Sequence, residues 1–177
     1  EQLLVSVKEE SAKIRRLLST VSEGRLIREG IKTVILGKPN AGKSSLLNVL
    51  VGENKAIVTD IAGTTRDVLE EYITLNGISL KIIDTAGIRE TKDVVEQIGV
   101  ERAIAHGEDA DLILYVVDAS LPLDENDEQI IELIRDKKAI VLLNKTDLEG
   151  VVTREQLEEK INHPVVSISA KEETGIE

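Results

Sequence analysis

Gly37-Lys38-Pro39-Asn40-Ala41-Gly42-Lys43-Ser44 lies between an apolar run, Lys32 to Leu36, and a helix-like run, Ser45 to Leu50. A glycine loop between a strand and a helix turns its backbone N–H groups inward, and the helix N-terminus adds partial positive charge, so the stretch reads as a phosphate cradle. In this pattern Lys43 neutralises the outer phosphates of a nucleoside triphosphate, Ser44 ligates magnesium, and Asn40, Ala41, Gly42 and Ser45 complete the lining. Two glycines, a lysine and a hydroxyl residue at this spacing arise by chance in roughly one chain in a hundred of this length, so an ordinary glycine turn is the weaker reading.

Outward from the loop, strand and helix signals alternate to the end of the sequence. Strands are predicted at Thr33 to Leu36, Leu69 to Leu75, Ser79 to Asp84, Leu112 to Asp118, Ala139 to Asn144 and Val165 to Ser169, with helices near 43–51, 94–106, 125–135 and 153–161. Asn76-Gly77 is a two-residue hairpin turn, so the second and third strands pair antiparallel. The remaining strands need helical crossovers and run parallel, which predicts a doubly wound α/β fold: a mostly parallel six-stranded sheet with one antiparallel strand and helices on both faces.

Before the loop, Leu3, Leu4, Val7, Ile14, Leu17, Leu18 and Val21 recur near the helical period, and Gly24 is a plausible stop. Residues 1–29 therefore read as an amphipathic helix and connector ending a neighbouring helical domain, and 30–177 as the nucleotide-binding domain. A covering helix is expected after Gly175, so the chain reads as a segment of a longer protein.

The 177 residues include 41% hydrophobic residues but two Tyr and no Phe, Trp, Met or Cys. The core must be Ile, Leu, Val and Ala, which suits strands covered on both faces. Without cysteine, disulfides, thiolate metal sites and thiol nucleophiles are excluded from this chain. No apolar run reaches membrane-spanning length, and the expected location is the cytoplasm. A net charge of −11 opposes sequence-independent attraction to a nucleic-acid backbone, and the scarcity of aromatics removes base-stacking platforms.

Three further motifs sit at predicted strand ends. In Asp84-Thr85-Ala86-Gly87, the aspartate can hold magnesium through water and Gly87 can present its N–H to the terminal phosphate. In Asn144-Lys145-Thr146-Asp147, a carboxylate can accept both the ring N–H and the exocyclic amine of guanine; adenine lacks that donor pair and would leave the carboxylate unpaired. Ser169-Ala170-Lys171 can offer a backbone N–H to the guanine carbonyl. The Gly63-Thr64-Thr65-Arg66-Asp67 stretch supplies a threonine for magnesium, bound only while the terminal phosphate is present, which makes a switch. Spacing does not choose between Thr64 and Thr65; the expected site takes Thr65 as the magnesium ligand and Thr59 and Thr65 as nucleotide contacts.

These four motifs, in this order and at these strand ends, resemble the translation-factor-related, Ras-like P-loop GTPases from residue 32 onward. The cradle with Asn40, the run Ile57 to Asp67 and the run Val95 to Arg102 look like the G domain of the MnmE (TrmE) family of tRNA-modification GTPases, and Leu17 to Gly30 resembles the end of that family's helical domain. The resemblance implies GTP hydrolysis that drives nucleotide-dependent dimerisation of G domains and gates wobble-uridine modification of tRNA. It further implies an FAD-dependent MnmG (GidA) partner, magnesium, and a potassium ion held by Asn40. A ribosome-assembly GTPase of the Era or EngA type, or a switch with little turnover, is the alternative.

The residue after Gly87 is Ile88, where Ras-like enzymes carry a glutamine that orients water. Nearby carboxylates are Glu90, Asp93 and Glu96, which composition does not rank. The family resemblance selects Glu96 as the catalytic residue, beside Lys43. Arg66 and Arg89 are not placed as internal arginine fingers, and a cation at Asn40 would supply that electrostatic work instead.

Overall fold

The computed structural model describes residues 29–53, 71–75, 77–83 and 105–176. Their elements are β1 (Ile31–Leu36), α1 (Lys43–Glu53), β2 (Glu71–Leu75), β3 (Ile78–Ile82), β4 (Leu112–Asp118), α2 (Glu125–Ile134), β5 (Ala139–Asn144), α3 (Arg154–Lys160) and β6 (Val165–Ser167). Residues 105–109 are also helical, at the end of the span predicted near 94–106. The helix expected over residues 1–23 lies outside the described residues.

One sheet orders the strands β2-β3-β1-β4-β5-β6. Among the described strands only β2 and β3 pair antiparallel, with Leu75 opposite Ile78. Gly77 follows at a φ of 82°, a left-handed conformation that glycine adopts without steric penalty. The other pairs are parallel, as the crossover spacing predicts.

Alternation along the strands builds two aliphatic layers. On one face Ile113, Tyr115 and Val117 of β4 meet Ile130, Ile131 and Ile134 of α2 and Leu157 of α3. On the other, Leu112, Leu114 and Val116 join Leu46, Leu47 and Leu50 of α1. All seven residues of β4 are buried, the state expected of a central parallel strand covered on both sides. Both α2 and α3 begin in capping boxes: Asp124 reciprocates with Asp127, and Thr153 with Gln156.

Strand ends mark where the chain turns toward the site. β6 stops at Ser167, short of the predicted Ser169, because Ser169 pairs instead with Thr174 through bonds of 3.0 and 3.1 Å. β3 stops at Ile82, although Ile83 remains tied to β1 by its N–H on the Thr33 carbonyl at 3.0 Å. Since β1 has β3 on one side and β4 on the other, the chain reverses its direction across the sheet at β1. A doubly wound sheet opens its crevice at such a switch point, beyond the carboxyl ends of the strands.

Candidate nucleotide site

The loop after β1 is the predicted cradle, and it opens into α1 at Lys43. Asn40 occupies a left-handed conformation (φ 61°), one that asparagine tolerates better than most residues with a Cβ, and it is exposed at the loop's tip. Gly42 must be glycine: its φ is 104°, and a Cβ there would lie 2.1 Å from Nδ2 of Asn144. Ala41 is buried, Ser44 is half-buried and Ser45 is exposed.

Lys43 folds back over the loop. Its Nζ donates to the carbonyls of Gly37 at 2.5 Å and Lys38 at 3.0 Å. Burial pushes its ammonium down from the ordinary 10.5 to about 8. An anion beside the ammonium would compensate its charge and offset that penalty.

Asn144, at the end of β5 and almost fully buried, joins three segments of the site. Its Nδ2 donates to the carbonyl of Ala41 at 2.8 Å, and its Oδ1 accepts the Ala170 N–H at 2.9 Å. The carboxamide thus locks the phosphate loop to the loop after β6, using both faces of one side chain. Asp147 is exposed at the mouth, with Oδ1 accepting the Ser169 hydroxyl at 2.6 Å. That hydrogen bond holds its carboxyl below the ordinary carboxylate range. Lys171 is exposed beside it and pairs with Glu172 at 3.6 Å.

Lys145 takes a left-handed backbone (φ 63°) and sends its ammonium to Oδ2 of Asp118 at 2.5 Å. Burial pushes the Asp118 carboxyl up, but hydrogen bonds from Lys145 and Ser120 outweigh it and hold the group below its ordinary value. No motif singles out Asp118; its only signal is a carboxylate closing the apolar run Leu112 to Val117.

The structure therefore assembles Asn40, Ala41, Gly42, Lys43, Ser44 and Ser45 with Asn144, Lys145, Asp147, Ser169, Ala170 and Lys171 on one edge of the sheet. The expected residues Thr59, Thr65, Asp84, Gly87 and Glu96 lie outside the described residues. Among the described residues no group of three or more His, Cys, Asp or Glu side chains forms a metal cluster. Ser44 contributes a hydroxyl in the first turn of α1, a hard oxygen donor of the kind magnesium takes alongside phosphate oxygens.

Comparison with known proteins matches the same region. The tRNA modification GTPase MnmE of Lachnoclostridium phytofermentans is 55% identical over 176 residues, which cover 99% of this chain and 38% of that protein. The chain thus spans well under half the length of that curated relative. The G domain of the T. maritima FeoB iron transporter superposes with a TM-score of 0.57 at 27% identity, covering 82% of this chain and 91% of that one. Era, solved with MgGDPNP and a piece of 16S ribosomal RNA, superposes with a TM-score of 0.55 at 32% identity, over 81% of this chain and 52% of Era. A family model described as "50S ribosome-binding GTPase" matches residues 32–145, from β1 through the cradle to the Asn144-Lys145 end of β5. With that match spanning about two thirds of the chain, from β1 to the end of β5, the chain belongs to this family of P-loop GTPases.

Proposed function

We propose that the chain is the GTP-hydrolysing G domain of a tRNA-modification GTPase, comprising residues 30–177, with residues 1–29 ending a helical domain. The observation that carries the guanine-nucleotide reading is the double hydrogen bond of Asn144, which fixes the base loop and the phosphate loop at one spacing. Asp147, oriented by Ser169, is the acceptor for the two guanine donors. The biological task rests on the 55% identity to the MnmE protein of L. phytofermentans. Era's likeness favours ribosome assembly as a second reading, but at 32% identity it is the more distant relative.

In the proposed cycle Lys43 binds the outer phosphates and Ser44 holds magnesium with Thr65 and, through water, Asp84. Gly87 donates its N–H to the terminal phosphate, Thr59 contributes from the first switch, and Glu96 orients the attacking water where Ile88 cannot. Asn40 holds potassium through its carboxamide oxygen. Bound together, the two metal ions would neutralise charge on the phosphates as the terminal bond breaks. Dimerisation of G domains with GTP, an FAD-dependent MnmG partner, tRNA as the target of the full-length complex and a cytoplasmic location complete the reading.

Steady-state GTP hydrolysis in potassium chloride against sodium chloride at equal ionic strength tests it. The left-handed backbone of Asn40 dictates the control: Asn40→Gly allows that conformation without steric penalty while removing the side chain that carries the carboxamide. Potassium stimulation abolished by Asn40→Gly is expected. Equal rates in the two salts would remove the cation role and leave a conventional switch.

A further inference from the structure

Lys38 is the second residue of the phosphate loop, yet its side chain leaves the cradle. Its Nζ lies 2.7 Å from Oδ2 of Asp127, 3.1 Å from Oδ2 of Asp124 and 3.3 Å from the carbonyl of Pro122, all at the start of α2. The side chain is only 14% exposed, and that of Asp127 only 1%.

Asp127 is itself immobilised. Its Oδ1 accepts the Tyr115 hydroxyl at 2.6 Å from the middle of β4, and its Oδ2 also accepts the Asp124 N–H at 2.9 Å. Among the described residues, the partners of the Lys38 ammonium are thus the α2 cap and the residues leading into it, and that cap is bonded into the core of the sheet. Surface ion pairs contribute little, but this pair is largely withdrawn from water and meets a carboxylate whose other oxygen is already used.

The backbone of Lys38 faces the opposite way. Its carbonyl accepts Nζ of Lys43 at 3.0 Å and the N–H of Ala41 at 3.2 Å. One residue thus has its side chain pinned to α2 while its carbonyl accepts the phosphate-binding ammonium of Lys43.

We propose that Lys38 is a positioning residue for phosphate binding: its anchorage on Asp124 and Asp127 fixes the carbonyl that places Lys43, and so couples occupancy of the cradle to the first turn of α2. This rests on the GTP-binding reading above. Coupling of this kind is reciprocal, so nucleotide in the cradle stabilises the α2 cap to the same degree that the cap strengthens nucleotide binding.

The test is the affinity of the full-length protein for fluorescent GDP and GTP analogues, read beside melting temperature, in Lys38→Met, Lys38→Arg and the double variant Lys38→Met with Asp127→Asn. The single Met variant leaves Asp127 buried without its cation, so it loses stability whatever Lys38 does for nucleotide. The double variant removes that uncompensated charge and separates the two effects.

Lys38→Met is expected to weaken both nucleotides by on the order of tenfold, the lower end of what is lost when a group that orients a metal ligand is removed. Lys38→Arg should restore affinity, and the double variant should recover melting temperature without recovering affinity. Preference for GDP over ADP should be unchanged throughout, because the base pocket does not depend on Lys38. The proposal is overturned if the double variant binds like the unsubstituted protein, or if affinity merely follows melting temperature across the series. Failure of the unsubstituted protein to bind guanine nucleotides would instead overturn the underlying reading, and this proposal with it.

Discussion

At the level of single residues, Lys43 ties stability and phosphate affinity to pH with opposite signs. The folded protein releases its proton at about 8 and the unfolded chain at 10.5, so across that window the unfolded state binds more protons and stability of the nucleotide-free fold rises with pH. Phosphate reverses the preference, since only the ammonium attracts it. Triphosphate affinity should fall as pH climbs past about 8, and calorimetry in buffers of different ionisation heat should show proton uptake on binding. Asp118 behaves in the opposite sense. Its lowered carboxyl stabilises the fold above its unfolded value, and that contribution is lost as pH falls through the folded one. Asp118→Asn should cost about 1.5–3 kcal/mol in denaturant unfolding, the range for a hydrogen bond to a charged group, and should weaken guanine nucleotides by freeing Lys145. Lys43 is legible in the sequence because its spacing from the glycines is local. Asp118 and Lys38 are not, because their oppositely charged partners, Lys145 for the one and Asp124 and Asp127 for the other, lie 27 and 86 or more positions away and leave no short-range pattern.

Two helix starts that look alike in the sequence differ in what they hold. Thr153 caps α3 by accepting the Gln156 N–H at 3.3 Å, at an exposed position. Asp124 caps α2 by accepting the N–H groups of Asn126 and Asp127 at 3.0 and 3.2 Å, and it also meets Lys38. Thr153→Ala and Asp124→Ala should each lower stability by about 1 kcal/mol, the usual loss of a cap, measured by thermal unfolding. Only Asp124→Ala should also weaken nucleotide binding; equal binding in both variants would show the α2 cap to be structural alone. The strands were legible because four of the six are dense aliphatic runs and the hairpin has its own Asn-Gly signal. Their ends were less so. The run Val165 to Ser169 has no local feature marking where strand stops, since the break at Ser167 comes from the return of Thr174 onto Ser169.

Across the whole molecule, the site must attract an anion from within an acidic protein. The net charge of −11 repels a polyphosphate at long range, while Lys43 attracts it only at close quarters. The association rate for GTP should therefore rise with ionic strength as the long-range field is screened, and stopped-flow measurement at several salt concentrations checks the slope. A falling rate would mean that the local field governs approach. The composition also predicted a core of aliphatic side chains, and the two layers flanking the sheet contain one aromatic, Tyr115. With no Trp, and with Tyr72 half-buried on the sheet's edge, that phenol is one of only two intrinsic chromophores of its kind. Because it donates to the same carboxylate that holds Lys38, its near-ultraviolet absorption and emission depend on the charge balance of that junction. The protein thus contains a built-in optical probe at the base of its phosphate loop, readable as a difference spectrum without attaching any label.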